Sequence, residues 1–312
     1  MDRGFLHERL SYACRRPKPF TISDVRSLRA FKPEEDKVDG FTVSPEKALN
    51  FLKRYLRLTH CDLFFADAAV LVEGAVEKLL LPVMIDKSAT KLHSSYLTVL
   101  EVGGAYAYRF EGLLSFLGIP YLIITDLHSV TPDAPAGACR ADKQGARTSN
   151  ASLKNIFGKS TVDELMALTA KEKISETNDY CVAFQCDITV TDQNNKRIMR
   201  PRTLEEALAY DNFSLLRKDI ISIGKPIPDD LEEAYQTIYE RIRSSTFKKT
   251  DFAMSLLAGD NTWQTPVYIA KGLVWLEAKL NPTVAPPNGS NGAEKPSPVS
   301  PSKPIAASPG EG

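Results

Sequence analysis

Ala68-Ala69-Val70-Leu71-Val72-Glu73-Gly74-Ala75-Val76-Glu77-Lys78-Leu79-Leu80-Leu81 is the stretch on which the fold of this chain turns. Its first five residues are a short apolar run that reads as a buried strand. The Leu-rich segment beyond Gly74 reads as a helix. The strand pattern recurs twice: Tyr96-Leu97-Thr98-Val99-Leu100 ends at Glu101-Val102-Gly103-Gly104, and Tyr121-Leu122-Ile123-Ile124-Thr125 ends at Asp126-Leu127-His128. Strands alternating with helical segments imply right-handed crossovers and a parallel sheet, so the fold class is α/β. In such a sheet the strand C-termini share one edge, where ligands bind. Glu73, Gly103-Gly104 and Asp126 are therefore expected on one rim.

Upstream of this core the pattern is weak. Arg15-Arg16-Pro17-Lys18-Pro19 is a charged break, and Lys32-Pro33-Glu34-Glu35-Asp36-Lys37 reads as a solvated loop. Ser44-Pro45-Glu46 has the chemistry of a helix start, followed by an apolar stripe through Ala48, Leu49, Leu52, Tyr55 and Leu56. Downstream, Tyr106 to Leu117 reads as a crossover helix closed by Gly118 and Pro120, and residues 129 to 150 are rich in turn formers. Helices are expected at Thr161–Lys171, Leu204–Tyr210 and Leu231–Arg243, with a strand at Tyr180–Phe184. Phe247 to Met254 leads into a further helix, and Pro266 to Leu280 forms a last one. From Pro282 the tail is rich in proline, serine and glycine and has no aromatic residue, a composition expected to stay disordered.

The chain has 312 residues, with 39 Lys plus Arg against 39 Asp plus Glu, so whole-chain charge does not point to a polyanionic partner. No run approaches the length of a membrane span, and the N-terminus lacks the apolar core of a secretory signal. The five cysteines, Cys14, Cys61, Cys139, Cys181 and Cys186, form no CxxC pair, which fits reduced thiols in the cytoplasm. There is no GxxxxGK[ST] phosphate loop.

The chemistry suggested by the rim is that of a divalent cation. Glu73 and Glu77 are four residues apart, which would place them on one face if both are helical. Asp126 adds a third carboxylate from another strand. Gathered carboxylates repel one another, and Mg²⁺ removes that repulsion with oxygen ligands and bridges to phosphates. Metal-assisted cleavage of a phosphodiester follows naturally. Carboxylates after strands are common, however. On spacing alone His128 is more often a polar loop residue than a ligand, Lys248 and Lys249 more often a solvated pair than a catalytic group, and Trp263 and Trp275 are packing residues.

A set of motifs in order sharpens this reading. Phe64-Phe65-Ala66-Asp67, then Leu-Val-Glu-Gly-x-x-Glu-Lys-Leu-Leu-Leu-Pro up to Pro82, resembles the opening of the Toprim domain in the OLD (overcoming lysogenisation defect) nuclease family. Val102-Gly103-Gly104, Thr125-Asp126-Leu127, Thr148-Ser149-Asn150 and Arg202-Thr203-Leu204-Glu205-Glu206-Ala207 continue the resemblance. Lys249-Thr250-Asp251-Phe252-Ala253 and the Trp263 to Trp275 segment close it, so that it spans roughly residues 45 to 280. The resemblance implies a Toprim-like parallel sheet flanked by helices, with additional C-terminal helices. It also implies metal-dependent nicking or cleavage of DNA with Mg²⁺ or Mn²⁺ in a one- or two-metal site. Glu73, Glu77 and Asp126 would be metal ligands, with His128 and Glu205 as further candidates. Glu206 is the alternative to Glu205 as a source of acidity, and Lys249 would stabilise charge at the scissile phosphate.

Two departures from the family pattern carry expectations of their own. The third strand of a Toprim domain usually ends in Asp-x-Asp, but here the second position is His128. Imidazole is a poor Mg²⁺ ligand and suits transition metals, so activity is expected to shift toward Mn²⁺ or to be lost, with Asp133 as a substitute carboxylate. The family also carries an N-terminal ABC-type ATPase. Residues 1–59 resemble only the end of such a domain, residues 60–281 the nuclease domain with its helical additions, and 282–312 a disordered tail. The expected partners are DNA, an ABC-type ATPase supplied separately or as a missing N-terminal domain, and a second copy in a homodimer, without a membrane. The competing expectation is a catalytically silent Toprim module that binds DNA or a partner.

Overall fold

A computed structural model describes residues 36–38, 41–44, 58–103, 107–192, 195–260 and 262–282. The helix expected after Ser44, the tail expected to be disordered and Gly104 lie outside the described residues. Strands β1 (Asp36–Val38) and β2 (Phe41–Val43) pair antiparallel, so Asp36 and Lys37, read from sequence as the end of a solvated loop, lie in a strand.

The core is a four-stranded parallel sheet of β3 (Ala68–Val72), β4 (Leu97–Glu101), β5 (Tyr121–Ile124) and β8 (Tyr180–Ala183), in the order β4-β3-β5-β8. Helix α1 (Ala75–Ser88) follows β3, and α2 (Glu111–Leu117) follows β4. From β3 the chain steps outward to β4, then returns across β3 to β5. Right-handed crossovers running in opposite directions must lie on opposite faces of the sheet. Accordingly Val76 and Leu80 of α1 pack on one face, and Leu113, Leu114 and Leu117 of α2 on the other. The connections leaving the C-terminal ends of β3 and β5 run in opposite directions, to β4 and to β8, and such a divergence is where ligands bind in an open α/β sheet.

The strand side chains divide by the two-residue period of an extended chain. Ala68, Val70, Val72, Leu122, Ile124, Cys181 and Ala183 enter the first apolar layer, and Ala69, Leu71, Tyr121, Ile123 and Val182 the second. Burial on both faces explains why these runs are continuously apolar. The first layer is closed by α5 (Leu204–Asp211), α7 (Leu231–Arg243), α8 (Lys249–Ala258) and α9 (Val267–Leu280). Helix α9 approaches so closely that a Cβ on Gly272 would stand 2.7 Å from Leu122 Cδ1 and 3.1 Å from the Ala183 Cβ. The second layer is closed by α2, α3 (Ala151–Phe157) and α4 (Val162–Met166).

Several elements differ from the sequence reading. Helix α1 runs past Leu81 and contains Pro82, whose fixed φ suits the helix while its ring costs one backbone hydrogen bond. The expected helix 161–171 stops at Met166. Thr169 then binds its own Glu172 in a second local box, and the Lys173 carbonyl accepts the Val182 N–H beside β8. The turn-rich stretch contains the pair β6 (Ser129–Val130) and β7 (Arg147–Thr148). The hairpin of β9 (Ile188–Asp192) and β10 (Asn195–Met199) and the short helix α6 (Phe213–Arg217) carry no expectation from sequence. The packing roles read for the tryptophans hold. Trp263 is buried and donates to the Leu256 carbonyl, and half-buried Trp275 packs on the first layer.

Candidate metal centre

Parallel register brings the rim together. Val72 lies opposite Glu101, and Leu71 opposite Ile123, so Glu73 and Asp126 emerge from adjacent strands on the same edge. Val102 N–H donates to the Val72 carbonyl and Gly103 N–H to that of Glu73, which carries the β3–β4 ladder one step beyond the strands. Glu73 is thus not part of the helix. Gly74 is the N-cap of α1, and Glu77, three residues on, accepts its N–H through Oε2 at 3.1 Å. Helix capping, rather than helical spacing, places Glu77 against the Gly74 backbone, one residue on from Glu73, and Glu77 is not among the donors grouped with Glu73.

Glu73 is the hub. Its Oε1 accepts the Asp126 N–H at 2.8 Å, an Asn150 Nδ2 hydrogen at 3.1 Å and the Thr125 hydroxyl. Its Oε2 lies 2.8 Å from His128 Nε2. Burial alone would raise this carboxyl, but His128, the Asp126 N–H and the Thr125 hydroxyl outweigh it and hold Glu73 below the usual carboxylate range. Asp126 is buried, with Oδ1 accepting from Gln185 Nε2. Burial, followed by the charges of Glu73, Glu77 and Glu205, pushes Asp126 well above the ordinary range. Burial and the neighbouring Glu205 and Glu73 raise Glu77 to about 7.

One donor atom each from Glu73, Asp126 and His128 can be chosen so that all three lie within 4.8 Å of one another. His128 adopts a left-handed backbone, φ 47°, an uncommon conformation for a residue other than glycine. Its N–H donates to the Arg202 carbonyl, and its carbonyl accepts from the Ser149 N–H and hydroxyl, which fixes the backbone that aims the ring at Glu73. Lys249, at the start of α8, reaches Glu205 Oε2 at 2.9 Å, and Glu205 is buried. Burial would lower the Lys249 ammonium, but Glu205, Asp126 and Glu77 together raise it.

Not every candidate reaches this centre. Glu206 points elsewhere: its Oε2 accepts the Arg202 N–H at 2.9 Å, and burial pushes it up to about 8. Asp133 is exposed in the loop after β6 and is not among the grouped donors. Lys248 is the exposed N-cap residue of α8, as a solvated lysine would be, whereas Lys249 is ion-paired.

Three polar residues hold the centre in place: Thr125 and Asn150, which the motifs contain without a role, and Gln185, which no motif marks. Buried Asn150 caps α3 through Oδ1, which accepts from Ser152 N and Leu153 N, while its Nδ2 spans Glu73 Oε1, Thr125 Oγ1 and the Asp126 carbonyl. Gln185 accepts the Leu127 N–H at 2.8 Å and donates to Asp126 and to the Tyr268 hydroxyl. Thr125 donates to Glu73. Gln185 follows the end of β8 much as Asp126 follows β5, so the rim rule extended to the fourth strand would have found it.

The donors fit a divalent cation: hard carboxylate oxygens with one imidazole nitrogen. The raised Asp126 and Glu77 carboxyls mark the crowding that two added positive charges would relieve.

Comparison with known proteins bears out the relation seen in the motifs. Residues 64–127 match the family model described as Overcoming lysogenization defect protein-like, TOPRIM domain. The chain is 29% identical over 259 residues to Endonuclease GajA of Bacillus cereus strain HuB5-5, covering 75% of this chain and 35% of that protein. It is 27% identical over 107 residues to Endonuclease GajA of strain VD045, covering 34% of this chain and 18% of that one. The chain thus spans about a third or less of the length of these curated relatives. Among solved structures, the C-terminal region of the Burkholderia pseudomallei OLD protein aligns over 70% of this chain and 100% of its own, at 19% identity and a TM-score of 0.40. The corresponding region from Xanthomonas campestris pv. campestris aligns over 70% and 97%, at 20% identity and a TM-score of 0.37.

Proposed function

We propose that this chain, whose residues 64–127 form an OLD-like TOPRIM domain, is the nuclease portion of a metal-dependent DNA endonuclease. The observation that carries the reading is the grouping of Glu73, Asp126 and His128 donors within 4.8 Å at the C-terminal edge of the sheet. In this reading these three residues, with Glu77 beside them, hold Mg²⁺ or Mn²⁺, as one ion or two. A bound cation would activate water and offset charge on the phosphate being cleaved. Lys249, on the Glu205 side of the cluster, places a positive charge for the scissile phosphate. Asn150, Thr125 and Gln185 orient the carboxylates. The nuclease domain is taken as residues 60–281. It would act on DNA in the cytoplasm with an ABC-type ATPase, on a separate chain or joined to this one, and as a homodimer. No helix among the described residues is long and apolar enough to cross a membrane.

One observation favours the competing reading of a silent module that binds DNA or a partner: each Glu73 oxygen already has a hydrogen-bond partner, and Oε2 shares its site with His128. Nicking of supercoiled plasmid with Mg²⁺ or Mn²⁺, with Mn²⁺ binding measured by calorimetry, separates the two. The nuclease reading expects nicking by the natural chain, and loss of both nicking and Mn²⁺ binding in Asp126→Asn. Mn²⁺ binding without nicking supports the silent module. Wild-type nicking by Asp126→Asn would show the site to be wrongly placed.

A further inference from the structure

A second cavity, of about 370 Å³, lies where α9 meets the edge strand β8. Trp275, partly exposed, lines it with buried Phe184 and Tyr268 behind, and Lys173 and Lys271 both border it. The volume and the mostly apolar wall are those of a small-molecule pocket. The charges are unbalanced. The Lys173 ammonium sits 3.9 Å from the centre of the Phe184 ring, and among the described residues neither lysine has a hydrogen-bonded or ion-paired acidic partner. Burial above all lowers the Lys173 ammonium, and the Lys271 charge adds to it. A half-buried ammonium over an aromatic face, without an acidic partner among the described residues, is stabilised by an anion.

From this we infer that the β8–α9 cavity binds a small aromatic anion, its flat body against the partly exposed Trp275 and its carboxylate or phosphate head between Lys173 and Lys271. The indole of Trp275 favours a ring over an alkyl chain, because rings stack and meet edge to face. The cavity also touches the candidate metal centre through one residue: the Tyr268 hydroxyl on its wall is 3.2 Å from Gln185 Nε2, which donates to Asp126.

The full chain titrated with 1-anilinonaphthalene-8-sulfonate tests this. The expected result is a saturable rise in dye fluorescence at one dye per chain. Lys173→Met combined with Lys271→Met should weaken binding at least tenfold, while Lys173→Arg with Lys271→Arg restores it. The neutral dye N-phenyl-1-naphthylamine should bind the wild type more weakly and be indifferent to the Met substitutions, which also shows that the cavity has survived them. Displacement of the anionic dye by 1-naphthyl phosphate but not by decanoate supports the aromatic body. Equal binding to wild type and to the double Met variant, equal loss of both dyes, or displacement by decanoate alone would overturn the inference.

Discussion

His128 Nε2 stands 2.8 Å from Glu73 Oε2, so the histidine that occupies the usual place of a second aspartate faces the cluster rather than solvent. Its partner is the carboxylate that the other rim groups converge on. Substituting Asp is sterically reasonable, since aspartate tolerates a left-handed backbone better than most residues. His128→Asp would add a hard oxygen ligand and a negative charge beside Glu73 and Asp126. We expect it to raise Mg²⁺-dependent nicking and to lower the melting temperature in chelator while increasing the stabilisation by Mg²⁺. Tenfold tighter Mg²⁺ corresponds to about 1.4 kcal/mol more stabilisation at saturating metal. If His128→Asp responds to Mg²⁺ as the natural chain does, or His128→Ala matches the natural chain in Mn²⁺, the histidine takes no part.

Asn150 does two jobs that substitution can separate. Its Oδ1 caps α3, and its Nδ2 ties Glu73 to Thr125 and the Asp126 carbonyl. Asn150→Asp keeps the capping oxygen but replaces the donor with a carboxylate oxygen facing Glu73. Asn150→Ala loses both, and an N-cap loss alone costs about 0.5–2 kcal/mol. We expect both variants to bind Mn²⁺ more weakly, with Asp retaining the amide-exchange protection of α3 and Ala losing it. Unchanged Mn²⁺ affinity in both would reduce Asn150 to a helix cap.

Gly272 is set by the closeness of α9 to the sheet. A Cβ there would gain up to ~1 kcal/mol of helix propensity over glycine. It would also stand 2.7 Å from Leu122 Cδ1, and overpacking of this kind costs typically about 1–3 kcal/mol. The steric term is the larger, so Gly272→Ala should destabilise, and Leu122→Val in the same chain should recover part of the loss. Urea denaturation measures both; a Gly272→Ala chain at least as stable as wild type contradicts the close approach.

Asp211 provides a stability term with a definite pH window. Burial pushes its carboxyl up to about 6, against the Val267 N–H that it accepts at 3.1 Å. A carboxyl raised on folding favours the folded state while protonated in both states, so its contribution is complete below about pH 4 and is lost as pH rises through about 6. Asp211→Asn keeps an acceptor for Val267 and has no such loss. Discounting for partial solvent screening, it should be more stable than wild type by about 1–2 kcal/mol above pH 7 and indistinguishable near pH 4. Parallel stability curves for the two chains across that window would refute this.

What the sequence determined by itself was the layering and the rim. Continuous apolar runs ended by Glu73, Gly103 and Asp126 suffice because parallel strands buried on both faces cannot alternate polar residues. The one-edge rule then places whatever follows each strand. The amphipathic period of Leu231–Arg243 likewise defined that helix to the residue. Only the tertiary structure decided how the rim is wired. Glu77 caps the helix that starts beside Glu73, His128 turns toward Glu73 through a left-handed backbone held by Arg202 and Ser149, and Asn150 reaches the site from the start of a helix that follows the β6–β7 pair. Tertiary structure also separated Glu205 from Glu206, adjacent in sequence and aimed at different partners, Lys249 and the Arg202 backbone. Short polar side chains leave no periodic trace in a sequence, because their hydrogen bonds depend on distances between segments tens of residues apart, and those distances exist only once the sheet has formed.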